Sequence, residues 1–179
     1  GLAFARLTAG RAHACGVTAG GTAYCWGSSY YFQLGNGESS DNRPLDHLTP
    51  VPVSGGLVFG SLAAGSMNTC GLTTTGVVYC WGVGAGNVIK DTFYALVPAP
   101  FAGAVPVFVS LTAGLSHTCG LTAAGAVYCW GSNYSGELGD GTTIYRDTPV
   151  RVAGGMVFVS VTAGGEHTCG LTAAGESRR

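Results

Sequence analysis

Seven cysteines and four histidines are the residues of this 179-residue chain best suited to chemistry. Six of the cysteines fall in pairs ten residues apart: Cys15 with Cys25, Cys70 with Cys80, and Cys119 with Cys129. The second of each pair is followed by Trp-Gly, with the tryptophans at Trp26, Trp81 and Trp130. His13, His117 and His167 each precede a cysteine by two residues, so on a strand the two side chains share a face. Three chemistries are open to such a pattern: a metal site, a buried pair of free thiols, or a disulfide. Zinc is disfavoured because no Cys-x-x-Cys occurs, each unit offers at most three soft ligands, and Asn68 replaces the histidine in the second unit. A catalytic nucleophile is disfavoured because catalysis needs one special site and these are copies. No metal, no cofactor and no catalytic residue is therefore expected, and the histidines are expected to make structural hydrogen bonds.

The strands that carry the cysteines narrow the choice further. In "HTCGLTAAGAVYCWG", residues 117–131, a three-residue turn at 123–125 lets Thr122 face Ala126. Cys119 then faces Cys129, Gly120 faces Tyr128 and Thr118 faces Trp130. Direct cross-strand neighbours have Cβ atoms about 4.5–5.5 Å apart, which a small adjustment brings into disulfide range. One disulfide per hairpin is the favoured reading, worth roughly 2–3 kcal/mol for a loop of about ten residues. It implies an oxidising compartment. Gly120 is expected to make room for the Tyr128 ring. Cys169 opens a fourth copy, but "ESRR" stands where "AVYC" would be, so Arg179 takes its partner's place and a free thiol is expected.

These hairpins sit inside a longer repeat. The first cysteines, Cys15, Cys70, Cys119 and Cys169, are spaced by 55, 49 and 50 residues. Each unit offers four short strands: for example 150–152, the stretch "MVFVSVTAG" from Met156, and the two arms of the hairpin. No segment carries a 3.6-residue period, so no long helix is expected. A period near 50 in a strand-rich chain reads as propeller blades. The expected fold is all-β, in blades of four short antiparallel strands. The units run approximately 5–59, 60–108, 109–158 and 159–179, within one partial domain over 1–179.

Composition agrees. Glycine is 31 of 179 and charged residues are 9%, with 46% hydrophobic, which suits tight turns and short strands and excludes a disordered chain. The net charge of -1 gives no electrostatic reason to expect nucleic acid or an anionic membrane as partner. Leu48 to Ile89 is uncharged, but its prolines and glycines interrupt any apolar run long enough to span a bilayer.

The stretch "AGLSHTCGLTAAGAVYCWGSNYSGELGDG" from Ala113 resembles the repeat of the regulator of chromosome condensation family. The matching positions are Gly114, His117, Gly125, Trp130-Gly131, Asn133, Gly136, Leu138-Gly139 and Pro149-Val150. The first unit departs at Ser29 and Phe32, where Asn and Gly would stand, and the second lacks the Leu-Gly element. The resemblance implies a seven-bladed β-propeller, of which this chain would supply about three and a half blades. It is therefore expected to be a segment of a longer ring, completed by further blades or by self-association. The cysteine pairs resemble those of secreted bacterial members, which implies a bacterial, extracellular or cell-surface protein. Members of the family act through loops on the propeller faces. Among them are a guanine-nucleotide exchange factor that binds chromatin and a secreted inhibitor of β-lactamases, but no exchange or inhibitory residue carries over.

The units diverge between Trp-Gly and Pro-Val, and the divergent stretches are aromatic. They offer Tyr30, Tyr31 and Phe32; Lys90, Phe93 and Tyr94; and Tyr134, Ile144, Tyr145 and Arg146. Tyr, Trp and Arg are enriched at interface hot spots, so these ten residues are the candidate partner-binding set. Some of them could instead cover blade edges. Asp140 among glycines is expected to be a turn residue rather than a calcium ligand. The expected function is a non-enzymatic, protein-binding scaffold. A structural segment of a large surface protein is the alternative. An enzyme at the propeller mouth, a lyase or glycosidase, is the weaker one, since the nine acidic residues recur at no equivalent position.

Overall fold

The computed structural model describes residues 1–38, 46–84, 94–101 and 105–175, together with the backbone of 177–178. Every regular element among them is a β-strand. The first blade holds β1 (Phe4–Ala9), β2 (His13–Thr18), β3 (Ala23–Gly27) and β4 (His47–Pro52), antiparallel and in chain order. The second holds β5 (Phe59–Ala64), β6 (Asn68–Thr73), β7 (Val78–Val83) and β8 (Tyr94–Pro100). The third holds β9 (Phe108–Ala113), β10 (His117–Thr122), β11 (Val127–Gly131) and β12 (Arg146–Arg151). In the fourth, β13 (Phe158–Ala163), β14 (Thr168–Thr172) and β15 (Ser177–Arg178) are described. The strand expected at 150–152 begins earlier: past an irregularity after Cys129, Gly131 pairs Arg146, which draws β12 back along β11.

The hairpin register agrees with the sequence pattern. Cys119 pairs Cys129, Gly120 pairs Tyr128 and Thr118 pairs Trp130. The turn closes through Thr122 N–H to the Ala126 carbonyl at 2.9 Å, with Gly125 at φ +78°. Disulfides join Cys15 to Cys25, Cys70 to Cys80 and Cys119 to Cys129 across Cα separations of 4.0–4.1 Å. Cys169 is a free thiol.

One expectation needs correcting. The space over Gly120 is taken by Phe108 of β9, not by Tyr128: a Cβ on Gly120 would lie 2.5 Å from the Phe108 ring. Phe108 is diagonal to Gly120 across β9 and β10, and its ring folds back over the bare backbone. Tyr128 then stands edge-on to Phe108, with ring centroids 6.1 Å apart. Phe4, Phe59 and Phe158 cover Gly16, Gly71 and Gly170 in the same way. The glycine serves the preceding strand rather than the facing one.

Blades are joined face to face, and three devices recur. First, the tryptophan of the later blade lies against the disulfide of the earlier one. Trp81 packs with Cys15, Cys25, Leu34 and Val53, and Trp130 packs with Cys70, Cys80 and Val78. Second, the first strand of a blade bonds the previous hairpin turn, as in Phe59 N–H to the Gly21 carbonyl at 2.9 Å and Phe158 N–H to the Gly125 carbonyl at 2.8 Å. Third, a histidine reaches the next blade: His13 Nε2 is 2.8 Å from Thr69 Oγ1, and His117 Nε2 is 2.9 Å from Thr168 Oγ1.

The His13 contact fixes a tautomer. Thr69 donates its hydroxyl proton to the Gln33 carbonyl at 2.8 Å, so His13 must donate from Nε2. Its buried Nδ1 has no partner. A second proton there would have no acceptor, and burial pulls the His13 pKa down to about 4. Burial also lowers the His117 pKa, against the raising influence of Glu137 and with the help of His167.

Candidate functional site

In the first and third blades the divergent loops lie between the third and fourth strands. In the first blade the described part of this loop is residues 28–38 and Asp46. The buried Gln33 side chain accepts the Tyr31 N–H at 2.7 Å, and Phe32 N–H donates to the Ser29 carbonyl at 2.8 Å. Ser29 N–H donates to Asp46 at 3.1 Å. These bonds push the aromatic side chains outward. Tyr30 and Tyr31 meet edge to face at 4.8 Å, and Tyr30 is 65% exposed.

Phe32 is the unusual member. It sits at φ +60°, the only non-glycine residue at positive φ among the described residues. The equivalent residue of the third blade, Gly136, is at φ +78°. A bulky side chain in that region is a genuine outlier and costs on the order of 1–3 kcal/mol. The Phe32 ring stacks on Tyr94 of β8 in the next blade, centroids 4.9 Å apart. Two ring pairs thus stand near the first blade junction: Tyr30 with Tyr31 within the loop, and Phe32 with Tyr94 across the junction. Sequence reading found these residues but had no signal that Tyr94, 62 positions from Phe32, would join them.

The third blade presents a different group. Asn133 is fully buried, accepts the Leu138 N–H at 3.0 Å, and donates to Asp140 at 3.1 Å and to the Ile144 carbonyl at 3.1 Å. Asp140 also accepts from Thr142 N–H at 2.9 Å and its hydroxyl at 2.7 Å. Arg146 closes the loop with Nε and NH2 on Asp140 Oδ2, at 2.9 and 2.8 Å. Burial alone would raise the Asp140 pKa, but the bonds from Thr142, Arg146 and Asn133 outweigh it and hold it at about 2. Asp140 is thus the hub of a rigid loop. Arg146, a candidate for contacting a partner, is half-buried and braces that loop through its guanidinium. Tyr134 and Ile144 stand out from it, 83% and 59% exposed, with Tyr145 half-buried beside them. Burial raises the Tyr145 pKa, helped by Asp147 and Tyr134.

Lys90 and Phe93 lie outside the described residues. Two residues that sequence reading passed over hold the loops up: Gln33, and its counterpart Glu137, which accepts from Ser132 Oγ at 3.0 Å and Ser135 N–H at 2.9 Å. Their position two before the glycine of the Leu-Gly element is the signal that would have found them. Among the described residues no group of three or more His, Cys, Asp or Glu could hold a metal ion.

The profile of the regulator of chromosome condensation (RCC1) repeat matches residues 20–72 and 124–171, and a second profile of the same repeat matches 4–33 and 108–137. The chain belongs to the RCC1 repeat family. Protein pim1 of Schizosaccharomyces pombe is 35% identical over 78 residues, 44% of this chain and 14% of that protein. Human WBSCR16 superposes with a TM-score of 0.79 and 26% identity, over 94% of this chain and 44% of that one. Prp20p of Saccharomyces cerevisiae gives 0.77 and 20%, over 90% and 42%. The ectodomain of the Physcomitrella patens receptor kinase CR4 gives 0.57 and 28%, over 95% and 38%. The chain thus spans less than half the length of each, and the RCC1 propeller is the architecture it shares with them.

Proposed function

We propose that this chain is a protein-binding β-propeller scaffold that presents variable aromatic loops, and that it works outside the cytoplasm, extracellularly or on the cell surface of a bacterium. Residues 1–179 are taken as one partial propeller domain, with repeat units near 5–59, 60–108, 109–158 and 159–179. The observation that carries the reading is Phe32. A left-handed phenylalanine stands where the sister loop uses glycine, and its ring stacks on Tyr94 of the next blade, beside a loop whose Tyr30 and Tyr31 are exposed. Strain of this kind persists where a side chain is needed in place. The hydrogen-bonded loops also lower the cost of ordering on binding.

The three disulfides support an oxidising compartment, and one relative of comparable fold is an ectodomain. Prp20p has been characterised for binding to Gsp1p and histones, a precedent for partner binding by this fold and not for the partner's identity. A net charge of -1 favours protein over nucleic acid as partner; titrating labelled DNA against the chain tests that preference. No equivalent pair of carboxylates recurs between blades, which supports a non-enzymatic role.

The test compares three chains as bait in the native extracellular milieu: wild type, Phe32→Gly and Tyr30→Ala. Phe32→Gly relieves the backbone strain, so its unfolding midpoint should hold or rise. Partner retention should fall in both variants, by about 2 kcal/mol or more if either is a hot spot. Undiminished retention in both would remove this surface from the function.

A further inference from the structure

The loops of the first and third blades share a backbone plan and differ in the chemistry at their centre. Leu34-Gly35-Asn36-Gly37 repeats Leu138-Gly139-Asp140-Gly141 with one change, asparagine for aspartate. Gly35 and Gly139 lie at φ +64° and +61°, and Gly37 and Gly141 at +76° and +82°. The Gly35 carbonyl accepts the Ser54 N–H and the Gly139 carbonyl the Ala153 N–H, both at 2.9 Å. His47 stands where Arg146 stands, since Gly27 pairs His47 and Gly131 pairs Arg146.

The central side chains follow the same plan atom by atom. Asp140 accepts the Thr142 N–H with Oδ1 and the Arg146 guanidinium with Oδ2. Asn36 accepts the Glu38 N–H with Oδ1 at 3.3 Å and places Nδ2 3.2 Å from His47 Nε2. The Glu38 N–H fixes which way the amide points. An amide nitrogen thus stands where the third loop has a carboxylate oxygen. The same His47 Nε2 lies 2.9 Å from Glu38 Oε2. One imidazole nitrogen cannot accept from the amide and donate to the carboxylate at once. An oxygen in place of Nδ2 would end that conflict, because Nε2–H would then face acceptors only.

The loop also holds the means of making the exchange. Gly37 follows Asn36, is exposed, and has no Cβ to hinder its nitrogen from reaching the side-chain amide. Its N–H is bonded to the Leu96 carbonyl at 3.2 Å, the long end of the usual range. The Glu38 N–H on Oδ1 polarises the Asn36 amide carbonyl. His47 Nε2 is within hydrogen-bond distance of the nitrogen that would leave.

We propose that Asn36 is a self-modification site: in the folded chain it deamidates through a cyclic imide with Gly37, and the aspartate formed completes with His47 the clasp that Asp140 and Arg146 make in the third blade. The Gly37 nitrogen gives its proton to water and attacks Asn36 Cγ, forming the N–Cγ bond. His47 as the imidazolium, held by Glu38, hands its Nε2 proton to Nδ2. The Cγ–Nδ2 bond breaks with its electron pair on nitrogen, ammonia leaves, and His47 regains a proton from solvent. Water then adds at Cγ, the N–Cγ bond breaks, and the Gly37 nitrogen keeps the electron pair and takes up a proton. One water is consumed, one ammonia is released and the main chain is restored. None of this depends on whether the aromatic rings of the loop bind a partner.

The test follows position 36 by peptide mapping of the folded 179-residue chain incubated at neutral pH, with fragmentation that separates it from Asn42. It should show the mass gain of amide-to-acid conversion, with one oxygen-18 taken up in labelled water. The product should be chiefly aspartate, because water attack at the other imide carbonyl gives isoaspartate, lengthens the main chain and draws Gly37 off Leu96. His47→Gln should slow the conversion about tenfold or more, a modest share of what a positioned proton donor supplies. Asn36→Asp, which starts as the product, should exchange its amides over residues 28–38 more slowly than the wild type, and adding His47→Gln should reverse that. A folded chain that keeps asparagine at position 36 while the urea-unfolded chain loses it would overturn the proposal. So would an isoaspartate share equal to that of the unfolded chain, a wild-type rate in His47→Gln, or unaltered exchange in Asn36→Asp.

Discussion

At the scale of single residues, His13 carries the clearest consequence. It is buried, neutral and donates from Nε2, with no acceptor for a second proton. Its pKa in the folded chain is about 4, below the ordinary histidine value of 6.5. Between those two values the unfolded chain binds the proton and the folded chain does not. Stability therefore rises with pH across that window and is lost as pH falls from about 6.5 towards 4, up to roughly 3 kcal/mol for this one group. The second blade already uses Asn68 at the equivalent position. His13→Asn should flatten the dependence of the urea midpoint on pH between 4 and 6.5, leaving the share due to His117, whose pKa shifts the same way. An unchanged slope in the variant would mean that His13 is not the titrating group.

At the scale of elements, the hairpins were readable because a period of two and a short turn leave few registers. One register alone put Cys119 beside Cys129, Thr118 beside Trp130 and Gly120 beside Tyr128, and the structure has it. What lay over Gly120 was not readable. A cross-strand rule names the facing residue, whereas Phe108 arrives diagonally from a strand twelve positions upstream. The loops were legible in composition and not in geometry. Arg146 stands out by its type, and its bonds to Asp140 were not readable; Phe32 is legible as standing at the repeat's glycine position, but not that it would keep the glycine's backbone conformation and stack on Tyr94. The hairpins and the loop brace should also fail differently. Removing one disulfide, as Cys70→Ala with Cys80→Ala, should cost about 2–3 kcal/mol of unfolding free energy. Asp140→Asn removes the charge that pairs Arg146, and it should free Tyr134 and Ile144 to move, seen as faster amide exchange over 133–146 with less loss of global stability. If exchange there is unaltered, the brace does not order the loop.

At the scale of the whole molecule, the main strand contacts between blades among the described residues join sequence neighbours, so stability is distributed among junctions. The three tryptophans are sister residues in three different settings, which makes them a test of that statement. Trp81 is fully buried between blades, with its N–H bonded to the Gln33 carbonyl. Trp130 is equally buried, and Phe101 and Phe108 pack on it at centroid distances of 5.2 and 5.9 Å. Trp26 is half-buried, stacked on Phe4 of its own blade at 5.6 Å. Identical sequence context would predict identical cost. Junction packing predicts otherwise: Trp81→Ala and Trp130→Ala should each cost roughly 3–5 kcal/mol in the 179-residue chain, because each leaves a cavity between two blades. Trp26→Ala should cost well under half as much, because the area it loses was already partly in water. Urea unfolding followed by circular dichroism measures all three. A Trp26→Ala variant as unstable as Trp81→Ala would show that each blade is held by its own aromatic face rather than by the seat its tryptophan finds on the blade before.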